Sequence, residues 1–154
     1  MRIEKSVVVP GRPDELWEVL WDVGRIATCI RGASDVVTIE DRRAYSAVIT
    51  QKIGPFSVRF PLSIQVLETA PPSLLTILAS GRDARIGSGM KATMRLRLEP
   101  AGADTTALAI DTEITLQGKL ASLGQGLING KADEELEHFR TCLGHELERA
   151  HPDG

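Results

Sequence analysis

This chain of 154 residues lacks the features that direct proteins to nucleic acid or to the interior of a membrane. The chain has 18 lysine and arginine residues against 21 acidic ones, a net charge of −3, and the basic residues are scattered. A nucleic-acid-binding protein would need them concentrated on one face. No run of about 20 apolar residues occurs, so no membrane-spanning helix is predicted. We therefore expect a soluble protein that does not bind nucleic acid.

Cysteine is also scarce. Cys29 and Cys142 are too few and too far apart in sequence to suggest a disulfide framework, so both are expected to be reduced thiols. The N-terminal segment contains no apolar run long enough for a signal peptide. Together these features predict a cytoplasmic location.

Histidine is rare as well, and its placement argues against a metal site. His138 and His145 share one helical face with Cys142, and Glu134 lies beside them, a combination that zinc would accept. This face lies opposite the apolar residues of the same segment, so it is expected to be in solvent. We predict no metal, and His151 is assigned to a frayed C-terminal tail.

Groups suited to catalysis are few. Neither cysteine has an obvious base nearby, and no histidine falls on an inward strand position, so a non-catalytic protein is predicted. An enzyme would need an inward acid or base, for which Tyr45, Glu40 and Asp41 are the candidates. Arg82, Asp83 and Arg85 form either a charged loop at a pocket mouth or, more commonly, a plain hairpin turn.

Strand periodicity dominates what the sequence does contain. Alternation predicts a first strand over residues 2–9, and two short helices follow before a turn at Gly32. About five or six strands then succeed one another, most clearly over residues 90–99. A long amphipathic helix over about residues 120–149 is the only element long enough to cover the apolar face of the sheet. The predicted fold class is α+β, a curved antiparallel sheet wrapped around a C-terminal helix, in one domain over residues 1–150 with a frayed tail over residues 151–154.

That helix contains glycines, each of which costs about 0.8–1 kcal/mol relative to alanine in a helix interior. Its apolar stripes before and after the glycines point in different directions, so we expect a bend near residues 124–130. Gly126 and Gly130 form one row of small residues. The row is either a seam that lets the helix approach the sheet closely or room for a ligand between helix and sheet.

Aromatic residues make up only 4% of the chain, and a curved sheet lined by small and aliphatic side chains is hard to fill at normal packing density. A cavity is therefore one open interpretation. Tyr45 would either donate a hydrogen bond to a ligand carbonyl or satisfy itself at the rim, whereas Trp17 and Trp21 are expected to pack first. Helical phase and strand parity assign to the cavity wall Tyr45, Ile49, Phe60, Ile64, Ile77, Met90, Met94, Leu123, Gly126, Leu127 and Gly130.

Three segments resemble a known family: KIGPF at residues 52–56, FPLSIQVLETAPP at residues 60–72 and GKLASLGQGLINGKADEELEHF at residues 118–139. They are similar to the CoxG subunit of carbon monoxide dehydrogenase, a branch of the START-like, helix-grip (SRPBCC) superfamily. The resemblance extends from about residue 7 to residue 139. The stretch CIRGA corresponds to a family segment that usually reads Cys-Ile-Pro-Gly-Cys. Arg31 and Ala33 replace its proline and second cysteine, so a thiol pair within this stretch is not expected.

The resemblance implies a helix-grip fold and a non-catalytic accessory protein of an aerobic molybdenum-type (carbon monoxide) dehydrogenase. Such a protein would bind an apolar lipid or quinone between sheet and helix and link the enzyme to the membrane quinone pool. The implied partners are the dehydrogenase subunits and, transiently, a membrane surface, with no covalent cofactor. Many relatives carry a tail with a membrane-seeking helix, and because this chain ends at Gly154 we do not expect anchoring by a tail. The alternatives are a dehydrogenase assembly or recruitment factor without ligand and a START-like polyketide cyclase-type enzyme.

Overall fold

The computed structural model describes residues 1–150 and the side chains of residues 1–148. The predicted tail over residues 151–154, with His151, lies outside the described residues. Helices and strands follow in the order β1 (Arg2–Pro10), α1 (Pro13–Leu20), α2 (Val23–Thr28), β2 (Ala33–Glu40), β3 (Ala44–Ile53), β4 (Phe56–Ala70), β5 (Leu74–Asp83), β6 (Ser88–Gly102), β7 (Thr105–Gln117), a 3₁₀-helix (Gly118–Ser122) and α3 (Gln125–Ala150).

The strands form one curved antiparallel sheet in the order β1-β7-β6-β5-β4-β3-β2. From β2 to β7 each strand pairs with the next one along the chain, whereas β1 pairs with β7 in a register that opposes Arg2 to Glu113. The sheet, the long C-terminal helix and the two short helices confirm the predicted α+β fold. Within the described part of the chain, no helix has the length and apolar character needed to cross a membrane.

The entry into α1 follows from local sequence chemistry. Gly11 has a φ of +100°, a conformation that glycine adopts without the penalty of a side chain. Pro13 then begins the helix, where its missing N–H would have had no intrahelical partner. The carboxylate of Glu15 accepts a hydrogen bond from the N–H of Arg12 at 3.4 Å. Helix α1 therefore begins directly after the short turn that ends β1.

Two buried clusters lie at opposite ends of the strands. The first packs α1 and the end of α3 against the sheet and contains Val9, Leu16, Trp17, Val19, Leu75, Leu98, Leu108, Leu143 and Leu147. The second lies under the 3₁₀-helix and contains Val58, Phe60 and Leu120, with Ile53, Phe56, Leu62, Ile86, Met90, Leu116 and Leu123 packed against it. The middle of the sheet lies between these clusters, beneath α3.

The predicted C-terminal helix is interrupted rather than bent. The 3₁₀-helix ends before Leu123, whose φ of −73° and ψ of 136° are extended, and α3 begins at Gln125. Leu120 is fully buried in the 3₁₀-helix. The two apolar stripes therefore belong to two separate helices, and the break between them makes the change of direction that was expected from a glycine bend.

The glycine row faces away from the sheet. Gly126 and Gly130 are exposed, and a Cβ atom built on either would have no neighbouring atom within 4 Å. Both interpretations of the row are therefore wrong, because it is neither a close-packed seam nor room for a ligand between helix and sheet. Helical periodicity shows which residues share a face, but it does not show which face turns towards the sheet.

Cys29 and Cys142 form a disulfide, with their Cα atoms 5.3 Å apart across a sequence separation of 113 residues. The expectation of two reduced thiols is therefore wrong. Sequence distance was a poor guide because the end of α2 lies directly against the second half of α3. The cysteines no longer support a cytoplasmic location, since stable disulfides are rare in reducing compartments.

Candidate ligand cavity

A cavity of about 480 Å³ lies between the sheet, the two short helices and α3. All seven strands contribute to its wall. The polar or charged residues of the wall are Lys5, Tyr45, Ser46, Thr112 and Glu135. The remainder are Ile3, Leu20, Trp21, Val23, Ile26, Ala27, Cys29, Ile30, Ala33, Val36, Ala47, Ile64, Val66, Leu75, Ile77, Met94, Leu96, Leu108, Ile110, Ile114, Ala132, Leu136 and Phe139. The space is thus enclosed mainly by apolar side chains.

Short side chains keep this space open. Helix α3 turns Ala132, Leu136 and Phe139 towards the sheet, which is the spacing of a single helical face. Ala47 faces the cavity from β3, and Ala33 does so from the start of β2. Because the helix and the sheet both contribute alanine to the wall, the concave sheet is not filled between the two buried clusters.

Helix α2 forms one wall and is fastened to α3. The Cys29–Cys142 disulfide is one connection. The Arg25 guanidinium is a second, because its Nε donates to Glu146 Oε2 at 2.9 Å and its Nη2 donates to the Glu146 carbonyl oxygen at 2.7 Å. Both connections hold the second half of α3, so this wall is fixed at one end of the cavity.

Ion pairs hold the first half of α3 above the two edges of the sheet. Lys5 on β1 lies 2.6 Å from Asp133, and Arg31, which precedes β2, donates to Glu135 at 2.8 Å. Lys131 also pairs with Glu135 at 3.2 Å. Burial raises the pKa of Glu135, but hydrogen bonds from Arg31 and Lys131 outweigh it and the pKa is lowered below its usual 4.5. Glu135 is thus a charged wall residue engaged by two cations.

Tyr45 is held at the rim by a hydrogen bond that it accepts. Its hydroxyl oxygen accepts a hydrogen bond from the backbone N–H of Arg42 at 2.6 Å. The Arg42 guanidinium lies 5.1 Å from the centroid of the Trp21 ring, and its Nη2 donates to Glu18 at 3.1 Å. Trp17 meets Trp21 edge to face, with ring centroids 5.8 Å apart. The packing role expected for the tryptophans is confirmed for Trp17, while Trp21 also borders the cavity.

Thr112 on β7 is a wall residue that sequence reasoning missed. Only 6% of its surface is exposed, and its hydroxyl makes no hydrogen bond with any side chain or backbone group in residues 1–150. The signal was present in the sequence, since Thr112 falls in the same inward phase as Ile110 and Ile114. A single threonine in an apolar stripe looks like part of the ordinary alternation.

The structure brings some of the predicted wall residues together and separates others. Tyr45, Ile64, Ile77 and Met94 line the cavity, and their contact with a ligand stays a prediction. The remaining predicted residues lie elsewhere. Phe60, Met90 and Leu123 belong to the second cluster, Ile49 pairs with Phe60 beyond the end of the cavity, Leu127 is 40% exposed, and Gly126 and Gly130 are on the outer face of α3.

The residues weighed as metal ligands can be located as well. Residues 1–150 contain no group of three or more histidine, cysteine, aspartate or glutamate side chains placed to hold a metal ion. His138 and His145 are exposed, and Cys142 is engaged in the disulfide. That the protein works without a metal remains a prediction.

The charged segment before Gly87 is a hairpin turn between β5 and β6. Asp83 is buried there, and its carboxylate accepts hydrogen bonds from the Arg85 guanidinium at 2.8 Å and from the Arg59 N–H at 2.8 Å. These bonds lower the pKa of Asp83 to about 2. The carboxylate holds the turn in place and does not border the cavity, so the hairpin interpretation is confirmed.

Comparison with known structures first defines the class. The fold matches a conserved protein from Geobacillus kaustophilus with a TM-score of 0.87 and 22% identity over 97% of both chains. A START superfamily protein from Mycobacterium smegmatis matches with a TM-score of 0.69 and 17% identity over 97% of this chain and 98% of that one. The ZhuI aromatase/cyclase from a Streptomyces species matches with a TM-score of 0.68 and 15% identity over 97% and 94%. The chain therefore has a START-like fold with a cavity between sheet and helix.

The family follows from sequence. The family model for the CoxG subunit of carbon monoxide dehydrogenase matches residues 6–148, and the chain belongs to this family. The resemblance noted in the sequence is thereby confirmed. No curated protein matches the chain.

Proposed function

We propose that this protein is a non-catalytic accessory protein of a molybdenum-type carbon monoxide dehydrogenase that carries an apolar, ring-headed lipid, such as a quinone, in the cavity. The observation that carries this proposal is the apolar cavity of about 480 Å³ beneath α3. Small-molecule sites typically occupy about 300–1,000 Å³ and are lined mainly by apolar side chains with a few polar groups. Membership of the CoxG family supports the dehydrogenase as partner.

The polar side chains of the cavity wall favour a carrier function over a cyclase activity. Acid–base catalysis needs a group that can exchange a proton with the substrate. The Glu135 carboxylate is engaged by Arg31 and Lys131. The Tyr45 hydroxyl accepts a hydrogen bond from the Arg42 N–H and keeps its proton, but no carboxylate or imidazole among the described residues is hydrogen-bonded to it to act as a base. The aromatase/cyclase shares the fold at 15% identity, which carries no chemistry over to this chain.

An apolar surface beside the cavity supports transient contact with a membrane. Ile30 lines the cavity and is also 41% exposed, so the wall reaches the outside of the molecule at this point. Val37 and Ile39 on the neighbouring edge strand β2 are exposed too. We propose that this surface, formed by Ile30, Val37 and Ile39, rests on the lipid when a quinone is exchanged.

The proposal is tested by extraction from a membrane. The protein is mixed with phosphatidylcholine vesicles containing a prenylated naphthoquinone, the vesicles are removed by centrifugation, and quinone in the supernatant is measured by mass spectrometry. We expect quinone to remain with the protein and to quench Trp21 fluorescence, because Trp21 borders the cavity.

Two controls define the outcome. Val37→Ser with Ile39→Ser should slow extraction from vesicles while leaving the affinity for dissolved quinone unchanged. If the unaltered protein takes up no quinone from vesicles or from solution, the carrier function is wrong. Co-purification with the dehydrogenase would then support a recruitment factor without ligand.

A further inference from the structure

Thr112 places a hydroxyl without a partner in the apolar wall. Most of the Thr112 residue is buried (6% exposed), but its hydroxyl oxygen is not among the buried atoms that lack a partner, which fits an oxygen open to the cavity. No group of the described residues makes a hydrogen bond with it, so the hydroxyl remains free to bond a molecule in the cavity. A cavity ligand with an acceptor oxygen would supply the missing bond.

Lys5 brings a second donor to the same place. Ile3 on β1 directly opposes Thr112 on β7, and Lys5 opposes Ile110. Lys5 and Thr112 are therefore diagonal neighbours on one face, a relationship of about 7–8 Å that a long side chain can span. Both residues line the cavity. The ammonium group of Lys5 has three donors, of which its contact with Asp133 at 2.6 Å uses one.

The other polar groups of the wall are committed, distant or turned away. Glu135 is engaged by Arg31, and the Tyr45 oxygen accepts from the Arg42 N–H. Tyr45 keeps an O–H donor, but it lies on β3, towards the opposite edge of the sheet from β1 and β7. Ser46 alternates along β3 with Tyr45 and Ala47, so its side chain points to the opposite face of the sheet. The Nε1 atom of Trp21 also lacks a partner, but it is buried among protein atoms and a ligand does not reach it without movement of the ring.

We propose that Thr112 and Lys5 form a subsite for an oxygen atom of the bound ligand, an inference that rests on the carrier function proposed above. The Thr112 hydroxyl and the Lys5 ammonium donate to one carbonyl oxygen on the β1–β7 side of the cavity. The apolar tail then extends across the sheet towards α2 and β2. Because Asp133 balances the charge of Lys5, the subsite favours a neutral acceptor oxygen over a carboxylate.

The test compares two ligands that differ only in their oxygens. One is a naphthoquinone with a short prenyl chain, and the other is the naphthalene that carries the same chain. Thr112→Val removes the hydroxyl at nearly constant volume. It should raise the Kd of the quinone by about fivefold to tenfold, the usual effect of one hydrogen bond, and leave the Kd of the hydrocarbon unchanged.

Thr76 provides a matched control. Its hydroxyl likewise lacks a partner, but that hydroxyl is buried, and Thr76 alternates with the wall residues Leu75 and Ile77 and is not on the cavity wall. Thr76→Val should leave the Kd of both ligands unchanged. Lys5→Met should weaken binding of the quinone and leave binding of the hydrocarbon unchanged.

Infrared spectroscopy gives an independent readout. One carbonyl stretch of the bound quinone should lie at lower frequency than that of the free quinone and return towards the free value in Thr112→Val. The subsite is wrong if Thr112→Val affects both ligands equally or neither, or if no carbonyl stretch shifts on binding. If the unaltered protein binds both ligands equally well, the carrier function stands and the subsite does not. If it binds neither, both are wrong.

Discussion

The two halves of α3 are built for different tasks. In the second half, Leu143 has 0% exposure and belongs to the first cluster, and the disulfide and the Arg25–Glu146 contact tie this half to α2. In the first half, the outer face carries exposed glycines and the inner face borders the cavity. Ion pairs at its flanks hold it in place. Stability is therefore concentrated in one half of the helix, and the open space lies under the other.

The two halves should differ most in the loss of stability when one leucine in each is replaced by alanine. Leu143→Ala removes buried methyl groups from the first cluster and should lower the free energy of unfolding by about 2–5 kcal/mol. Leu127→Ala, in the first half, should change the free energy of unfolding by less than about 0.5–1 kcal/mol, because Leu127 is exposed. Urea denaturation of both variants measures the difference. Equal losses would mean that the two halves contribute alike to the core.

Loss of the disulfide should have the next largest effect. Cys142→Ser opens a covalent link between residues 113 apart and should lower the free energy of unfolding by about 2–4 kcal/mol. A dithiol reductant should destabilise the unaltered protein by a similar amount and leave the variant unaffected. Two alkylatable thiols in the folded, unreduced protein would show that the link does not form.

Quinone binding, unlike stability, should respond to substitutions in the first half of α3. Ala132→Leu fills part of the cavity and should raise the Kd of a quinone at least about tenfold, because the added atoms occupy the ligand's space. Gly130→Leu adds a larger side chain to the outer face two residues away, where a Cβ meets no other atom, and should leave the Kd unchanged. Fluorescence titration through Trp21 compares the two. A loss of binding in Gly130→Leu alone would return the glycine row to the ligand site.

The smallest effect concerns the ion pair at the cavity edge. Because the folded pKa of Glu135 lies below 4.5, its charged form stabilises the folded state above that pH, and this contribution is lost as the pH falls through the lower folded value. The unaltered protein should therefore exceed Glu135→Gln in stability at neutral pH by a margin that shrinks below pH 4.5. Thermal unfolding at a series of pH values follows this margin. A margin that grows on acidification would contradict it.

Sequence patterns predicted the architecture more reliably than the site. Alternation identified the strands, and parity placed Ile64, Ile77 and Met94 on the cavity face. The same parity placed Phe60 and Met90 there, because parity cannot tell where along a strand the cavity gives way to the second cluster. These errors share a cause, since a residue's phase gives its face and not its depth.

The disulfide and the orientation of the glycine row could not be predicted from local sequence patterns. The Cys29–Cys142 pair forms only because α2 and α3 pack together, and neither neighbourhood contains a local signal for it. The outward orientation of Gly130 follows from the break at Leu123, which separates two helices that the periodicity had joined. Thr112 was visible as a hydroxyl among apolar residues, but it became informative only when its lack of a partner was known.

The position of β1 at the edge of the sheet has a consequence for synthesis on the ribosome. The first strand to emerge pairs only with β7, which opposes Arg2 to Glu113, whereas β2 to β7 pair successively as they appear. Joining such distant segments carries a loop-closure cost that the neighbouring hairpins avoid. The nascent chain therefore holds Val9 and the rest of its first strand without a partner until β7 has left the exit tunnel. The first strand to be synthesised, β1, is thus among the last to pair within the sheet.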